Sequence, residues 1–243
     1  MNRIGWAAAS IGFICLAAAC GSEAKGGGGD QPQLGPAHLD SSQFVATVDN
    51  PYFPLTPGTI WEYDATEGDS KERVVVTVLD KTKVVDGVTA TVVHDLVTDA
   101  ASGKLVEDTY DWYAQDKKGN VWYLGEDTKA YDGTKVDTHG SWEAAVDGAR
   151  AGFLMVADPK VGRTYHQEYY KGEAEDVGEV IATGESVTGP TGTYDRVVTT
   201  EDTTALEPDL VEHKWYAPGV GIVKEADIKG GNEKVTLVKL TRP

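Results

Sequence analysis

From residue 59 to residue 241 apolar and polar positions alternate with a period of two, and helix-length apolar periodicity is missing. Alternation at period two sends successive side chains to opposite faces of a strand, so it predicts half-buried β-strands. A Pro-rich extended segment, 50–58, delivers the chain into a first strand at 59–65, where Trp61 and Tyr63 share a face. The β-branched run at 73–80 predicts a second strand, and Asp86-Gly87 is a tight hairpin signal between 83–85 and 88–97. A fourth strand is expected at 105–114, turned by 116–120 into a fifth at 121–125, with an edge at 131–138. Residues 141–151 predict one short helix or turn. Strands are then expected at 162–170, 174–182, 192–200, 210–217, 220–226 and 234–241. The fold class is therefore all-β: an antiparallel meander, closed into a barrel or folded as two packed curved sheets.

The pattern also repeats. Gly58 and Trp61 match Gly162 and Tyr165 at an offset of 104, and Gly87 and Val92-Val93 match Gly192 and Val197-Val198 at 105. Leu105-Val106-Glu107 matches Leu210-Val211-Glu212 at 105, whereas Trp112-Tyr113-Ala114 matches Trp215-Tyr216-Ala217 at 103. The shift of two residues equals the strand period, so it preserves the faces of the aromatic pair. Two related halves, 54–127 and 159–226, are expected within one domain at 44–243. Each half has one greasy face that it cannot bury alone.

Residues 1–19 carry one charge, Arg3, ahead of an apolar run too weakly hydrophobic for a stable span, which predicts a signal peptide. The small residues Ala17, Ala18 and Ala19 before Cys20 resemble the lipobox of bacterial lipoproteins, with Ala17 where that box usually has Leu. The resemblance implies cleavage before Cys20 and a diacylglycerol on its thiol, anchoring the protein to a membrane; plain secretion is the alternative. Residues 20–43 are a Gly- and Pro-containing tether without apolar periodicity. Cys15 departs with the signal, which excludes an internal disulfide, thiol catalysis and Cys-based metal sites.

The full chain has a formal charge of −17, and loss of Arg3 makes the exported form −18. Such a field repels nucleic acid and attracts cations or a basic partner. The five histidines are scattered, and no HExxH or calcium-loop pattern occurs. His166, Glu168, Glu173, Glu175 and Asp176 form the candidate cation set, with no cofactor otherwise expected. A second set of acids, Glu107, Asp108, Asp111, Asp116, Glu126 and Asp127, clusters around the first hairpin, and both sets could supply oxygens to a hard cation or be solvated strand edges. The candidate ligand-binding aromatics are Trp61, Trp112, Tyr113, Trp122, Tyr165, Trp215 and Tyr216, either as a shared pocket or as core packing.

The strings NPYFPLTPGTIWEY and WYAPGVGIVKE resemble a broad set of bacterial secreted proteins and lipoproteins of unknown function. That resemblance implies a curved sheet or barrel in the cell envelope and carries no catalytic residues. Three functions are expected from these features. The first is a tethered, non-enzymatic module that binds a small molecule or a cation. The others are a structural lipoprotein that docks an envelope partner, and a hydrolase built on paired carboxylates.

Overall fold

The computed structural model describes Pro32 and residues 34–243; the signal segment and Cys20 lie outside the described residues. Strand β1 (Phe44–Val45) leads into a five-stranded meander of β2 (Ile60–Glu67), β3 (Ser70–Val85), β4 (Val88–Asp99), β5 (Leu105–Asp116) and β6 (Val121–Asp132). Short strands follow: β7 (Lys135–Asp137), β8 (Trp142–Glu143), β9 (Arg150–Met155), β10 (Thr164–His166) and β11 (Glu168–Tyr169). The chain ends with β12 (Asp176–Gly189), β13 (Gly192–Thr204), β14 (Val211–Ala217), β15 (Gly221–Lys229) and β16 (Lys234–Thr241). The class is the expected one, all-β and antiparallel, in a single sheet ordered β10-β12-β13-β14-β15-β16-β2-β3-β4-β5-β6-β9-β11.

The sheet is nearly closed, because its two ends are neighbours in sequence. β10 pairs with β12 (Tyr165 opposite Gly178), and one residue later β11 pairs with β9 (Glu168 opposite Ala151). Gln167 is the hinge between them. Its amide donates to the Asp176 carbonyl at 2.8 Å and its side-chain amide donates to Asp202 at 3.1 Å. Gly152 permits this seam, since a Cβ there would fall 2.2 Å from the His166 carbonyl oxygen.

Two local expectations change. The segment at 141–151 forms β8, a turn and the start of β9 rather than a helix, because β6 offers its edge first to Trp142–Glu143 and then to β9. The stretch at 162–170 is two strands split at Gln167, since the chain changes partners there.

The runs β2–β6 and β10, β12–β15 share their pairing order. Gly58 donates to the Val78 carbonyl (2.8 Å) while Val78 donates to Thr59 (3.0 Å); Gly162 and Val180 make the same two bonds, at 2.8 and 3.0 Å, with Arg163 in the place of Thr59. Both glycines sit at positive φ, 89° and 84°. A register shift also recurs. Asp111 faces Glu126 and Tyr113 faces Tyr123, while Lys214 faces Glu225 and Tyr216 faces Ile222, so both β6 and β15 bulge over two residues. The inner face is packed with Tyr63, Val74, Val78, Tyr123, Tyr216 and Leu237.

Candidate functional site

The segment ahead of β2 folds over one end of the barrel. Leu55 N–H bonds the Val48 carbonyl at 2.9 Å, Gly219 N–H bonds Pro51 at 2.6 Å, and the Phe53 ring meets Tyr113 edge-on at 5.2 Å. Between this cap and the barrel wall is a small, narrow cleft. The cap contributes Phe53, Pro54 and Leu55, the first run contributes Trp61, Tyr63, Val76, Val93 and Tyr113, and the second contributes Gly221 and Ile222. Two carboxylates, Asp95 and Asp111, complete the lining. Trp61 and Tyr63 are held across the strands by bonds from Nε1 to the Val220 carbonyl (2.7 Å) and from the hydroxyl to the Ile222 carbonyl (3.0 Å). Behind Pro54 and Trp61, a groove passes Thr59, Val220, Leu240 and Arg242, and Arg242 donates to the Gly219 carbonyl at 2.8 Å.

Deeper in, the first run carries a group of buried acids. Tyr123 donates to Asp111 at 2.7 Å, and Thr109 donates to Glu107 at 2.9 Å. Glu126, opposite Asp111, has Oε1 buried without a hydrogen-bond partner. Burial pushes Asp111 and Glu107 up to about 7. Glu126 is raised well above the usual carboxylate range by burial and then by the charges of Asp111, Glu168 and Glu107.

The second run answers differently. Lys214 places its ammonium 3.2 Å from Asp202 and 3.2 Å from Glu212, with side chains almost wholly enclosed. Burial alone would lower the lysine pKa, but Glu212, Asp202 and Glu225 outweigh it and raise it. Asp202, Glu212 and Lys214 border a small polar recess with Asp176, Thr204 and Leu210. Connectivity puts this recess at the barrel end opposite the cleft.

Strand alternation divides the candidate aromatics. Trp61 and Tyr113 meet in the cleft, while Tyr165 and Tyr216 face the interior beside Lys214, each hydroxyl buried without a hydrogen-bond partner. Trp112 and Trp215 alternate with these tyrosines and lie on the other face, covered by lysine ammonium groups, Lys83 at 3.3 Å and Lys224 at 4.3 Å from the ring centres. Trp122 packs against Phe44 and Phe153 and donates to Asp116 at 3.0 Å.

The candidate cation set is likewise dispersed. Glu168 is buried, Asp176 borders the polar recess, Glu173 bonds His139 at 3.2 Å, and Glu175 accepts from Gly172 at 2.7 Å. His166 is half-buried with its ring 6.2 Å from Tyr169. Among the described residues no group of three or more His, Cys, Asp or Glu side chains is placed to hold a metal ion.

Asp95, Asp111, Glu126, Asp202, Lys214 and Glu225 are the interior groups that the sequence reading did not single out as a site. The first hairpin's acids are not all solvated edges, for Glu107, Asp111, Asp116 and Glu126 are buried. The available signal was parity with Tyr113 and Tyr216, together with the repeat, which aligns Asp111 with Lys214.

No family model and no curated protein matches the chain. Among solved structures, a candidate exported protein with a YMCC-like fold from Bacteroides fragilis aligns at 18% identity and a TM-score of 0.47, over 79% of this chain and 99% of its own. A candidate lipoprotein from Parabacteroides distasonis aligns at 16% identity and a TM-score of 0.38, with the same coverages.

Proposed function

We propose that the chain is a cell-envelope lipoprotein anchored through Cys20, whose barrel is a non-enzymatic binding module made of two related halves. The signal segment followed by Ala17-Ala18-Ala19-Cys20 supports the address, and the acidic surface disfavours nucleic acid as a partner. The observation that carries the binding reading is the cleft under residues 53–55. It is concave, mostly apolar, supplied by both runs, and contains a small number of polar groups, the usual make-up of a small-molecule site.

A second reading, docking of an envelope protein, is favoured by the dense interior. Tyr113 and Tyr123 stack at 4.9 Å, and Tyr216 is fully buried, so the barrel centre is filled rather than hollow. Native mass spectrometry of the chain, extracted gently from its own host and compared with its denatured mass, separates the two. A reproducible excess mass, lost on blocking the cleft with Val93→Trp, is expected for the binding module. No excess mass on a folded chain would overturn that reading and leave docking. Palmitate labelling that survives Cys20→Ser would overturn the anchor.

A further inference from the structure

We infer that the segment ahead of the barrel is a releasable strap: Pro32 and residues 34–45 hold the seam shut, and their release opens the barrel wall at Gln167. The inference is separate from the cleft and its ligand. It starts from a gap in the sheet. Among the described residues no ladder joins β10 to β9, for β10 pairs with β12, and β9 pairs with β6 and β11. The two strands still meet, because Gly152 lets the His166 carbonyl oxygen approach the backbone of β9. The sheet ends are held by short ladders, three residue pairs between β10 and β12 and two between β11 and β9.

The strap crosses that gap. On the β10 side the His166 ring bonds the backbone of Pro32, which has only its carbonyl to offer. On the β9 side Arg150 Nη1 donates to the Gly35 carbonyl at 3.1 Å. The Gly35 backbone lies so near β9 that a Cβ would fall 1.9 Å from the Ala151 carbonyl oxygen. Farther along, the Asp86 carboxylate at the β3–β4 turn accepts from the Leu39 amide and bonds the His38 ring at 3.1 Å. The far end is fixed by β1. Phe44 pairs with Asp116 and Val45 with Gln115, Lys117 donates to the Gln43 carbonyl at 2.7 Å, and the Phe44 ring meets Trp122 edge-on at 5.9 Å.

A second, independent observation is in the seam itself. Four consecutive residues each carry a buried polar atom with no hydrogen-bond partner in the protein: the Tyr165 hydroxyl, His166 Nδ1, Gln167 Oε1 and Glu168 Oε2. Such atoms favour any opening that lets water reach them. The wall is therefore weakest where the strap lies across it. The strap is also suited to coming away, since no residue from 34 to 47 is buried, and segments with few buried contacts open first. Upstream it leads back to Cys20, 12 positions before Pro32. On the anchor reading above, a pull on the membrane tether acts on the seam; the strap itself does not depend on that reading.

The test is hydrogen exchange of the full chain, purified from membranes in detergent and read by mass spectrometry on peptides covering 34–47, 148–156, 163–170 and the β2–β3 hairpin. The native chain is compared with one carrying Gly35→Ala and Phe44→Ala together. Neither residue belongs to the seam, so an effect there has to travel through the strap. Exchange at 34–47 is expected to quicken, and with it exchange at 148–156 and 163–170, by at least about tenfold, while β2–β3 keeps its native rate.

Quickening at 34–47 alone, with the seam at its native rate, would overturn the inference, because the strap would be off and the seam still closed. Unchanged exchange at 34–47 would also overturn it, since Gly35 and Phe44 would then not hold the strap. Equal quickening everywhere, β2–β3 included, would make the segment part of the global core and overturn its role at the seam. Failure of the anchor is read separately, by palmitate labelling, and leaves each of these outcomes unchanged.

Discussion

Lys214 and Asp111 hold matching positions with opposite charge, and truncating them should have opposite effects. In Lys214→Met the buried carboxylates of Asp202 and Glu212 lose their partner, with Glu225 close behind. Removing one member of a buried ion cluster leaves charge stranded, and the expected loss is about 3–5 kcal/mol. Urea denaturation at pH 7.5 measures it, and the deficit should shrink at pH 5 as the stranded acids take up protons. Asp111→Asn removes a charge from a site where burial already disfavours it, and the amide oxygen can still accept from Tyr123. Its urea midpoint at pH 8 should equal or exceed that of the native chain. At this scale the sequence showed which residues alternate but not which face of each strand points inward. The acids at 107, 111 and 126 share the inner face with Tyr113, and a rule that places acids on solvated edges misses them.

The strands and hairpins were mostly legible. Asp86-Gly87 turns β3 into β4 as its sequence demands, with Asp86 at φ 46° and Gly87 at φ 77°. What escaped was the place where elements change partners. Nothing local marks Gln167 as the point where the chain leaves β12 for β9, because that choice depends on strands far away in sequence. Gly152 is the element that makes this crossing possible, and Gly152→Ala tests it. A Cβ would sit 2.2 Å from the His166 carbonyl oxygen and 2.6 Å from the Gln167 carbonyl carbon, so backbone must move. A loss of about 1–3 kcal/mol is expected from overpacking. Hydrogen exchange should quicken first at Gln167 and at β9–β11, while the β3–β4 hairpin stays protected. Uniform protection with an unchanged urea midpoint would mean that the seam does not hold the barrel.

Across the whole molecule the buried acids set the response to pH. Burial raises Glu107, Asp111 and Asp176 to about 7 and Glu233 to about 8, against an ordinary carboxylate pKa near 4 in the unfolded chain. The folded state therefore binds more protons between about pH 4 and 8, and stability falls as pH rises through that window. The thermal midpoint at pH 5.5 should exceed that at pH 8.5, opposite to a protein whose acids are salt-bridged. Substituting Glu107→Gln should flatten the slope, because burial and then the charges of Asp111 and Glu72 disfavour its ionised form, against one favourable hydrogen bond from Thr109. A midpoint that rises with pH would refute the account of the interior.

The sequence by itself determined the strand class, most of the turns and the acidic balance, because these follow from local periodicity and composition. Tertiary structure alone decided that Trp112 and Trp215 take the outer face of the sheet, Trp112 buried there, while Tyr113 and Tyr216 lie inside, and that the five candidate cation ligands are dispersed. It also decided that Asp111 faces a cleft while Lys214 is enclosed. Alternation fixes only which residues share a face; which face becomes the interior is settled when the sheet curls and its distant ends meet at Gln167.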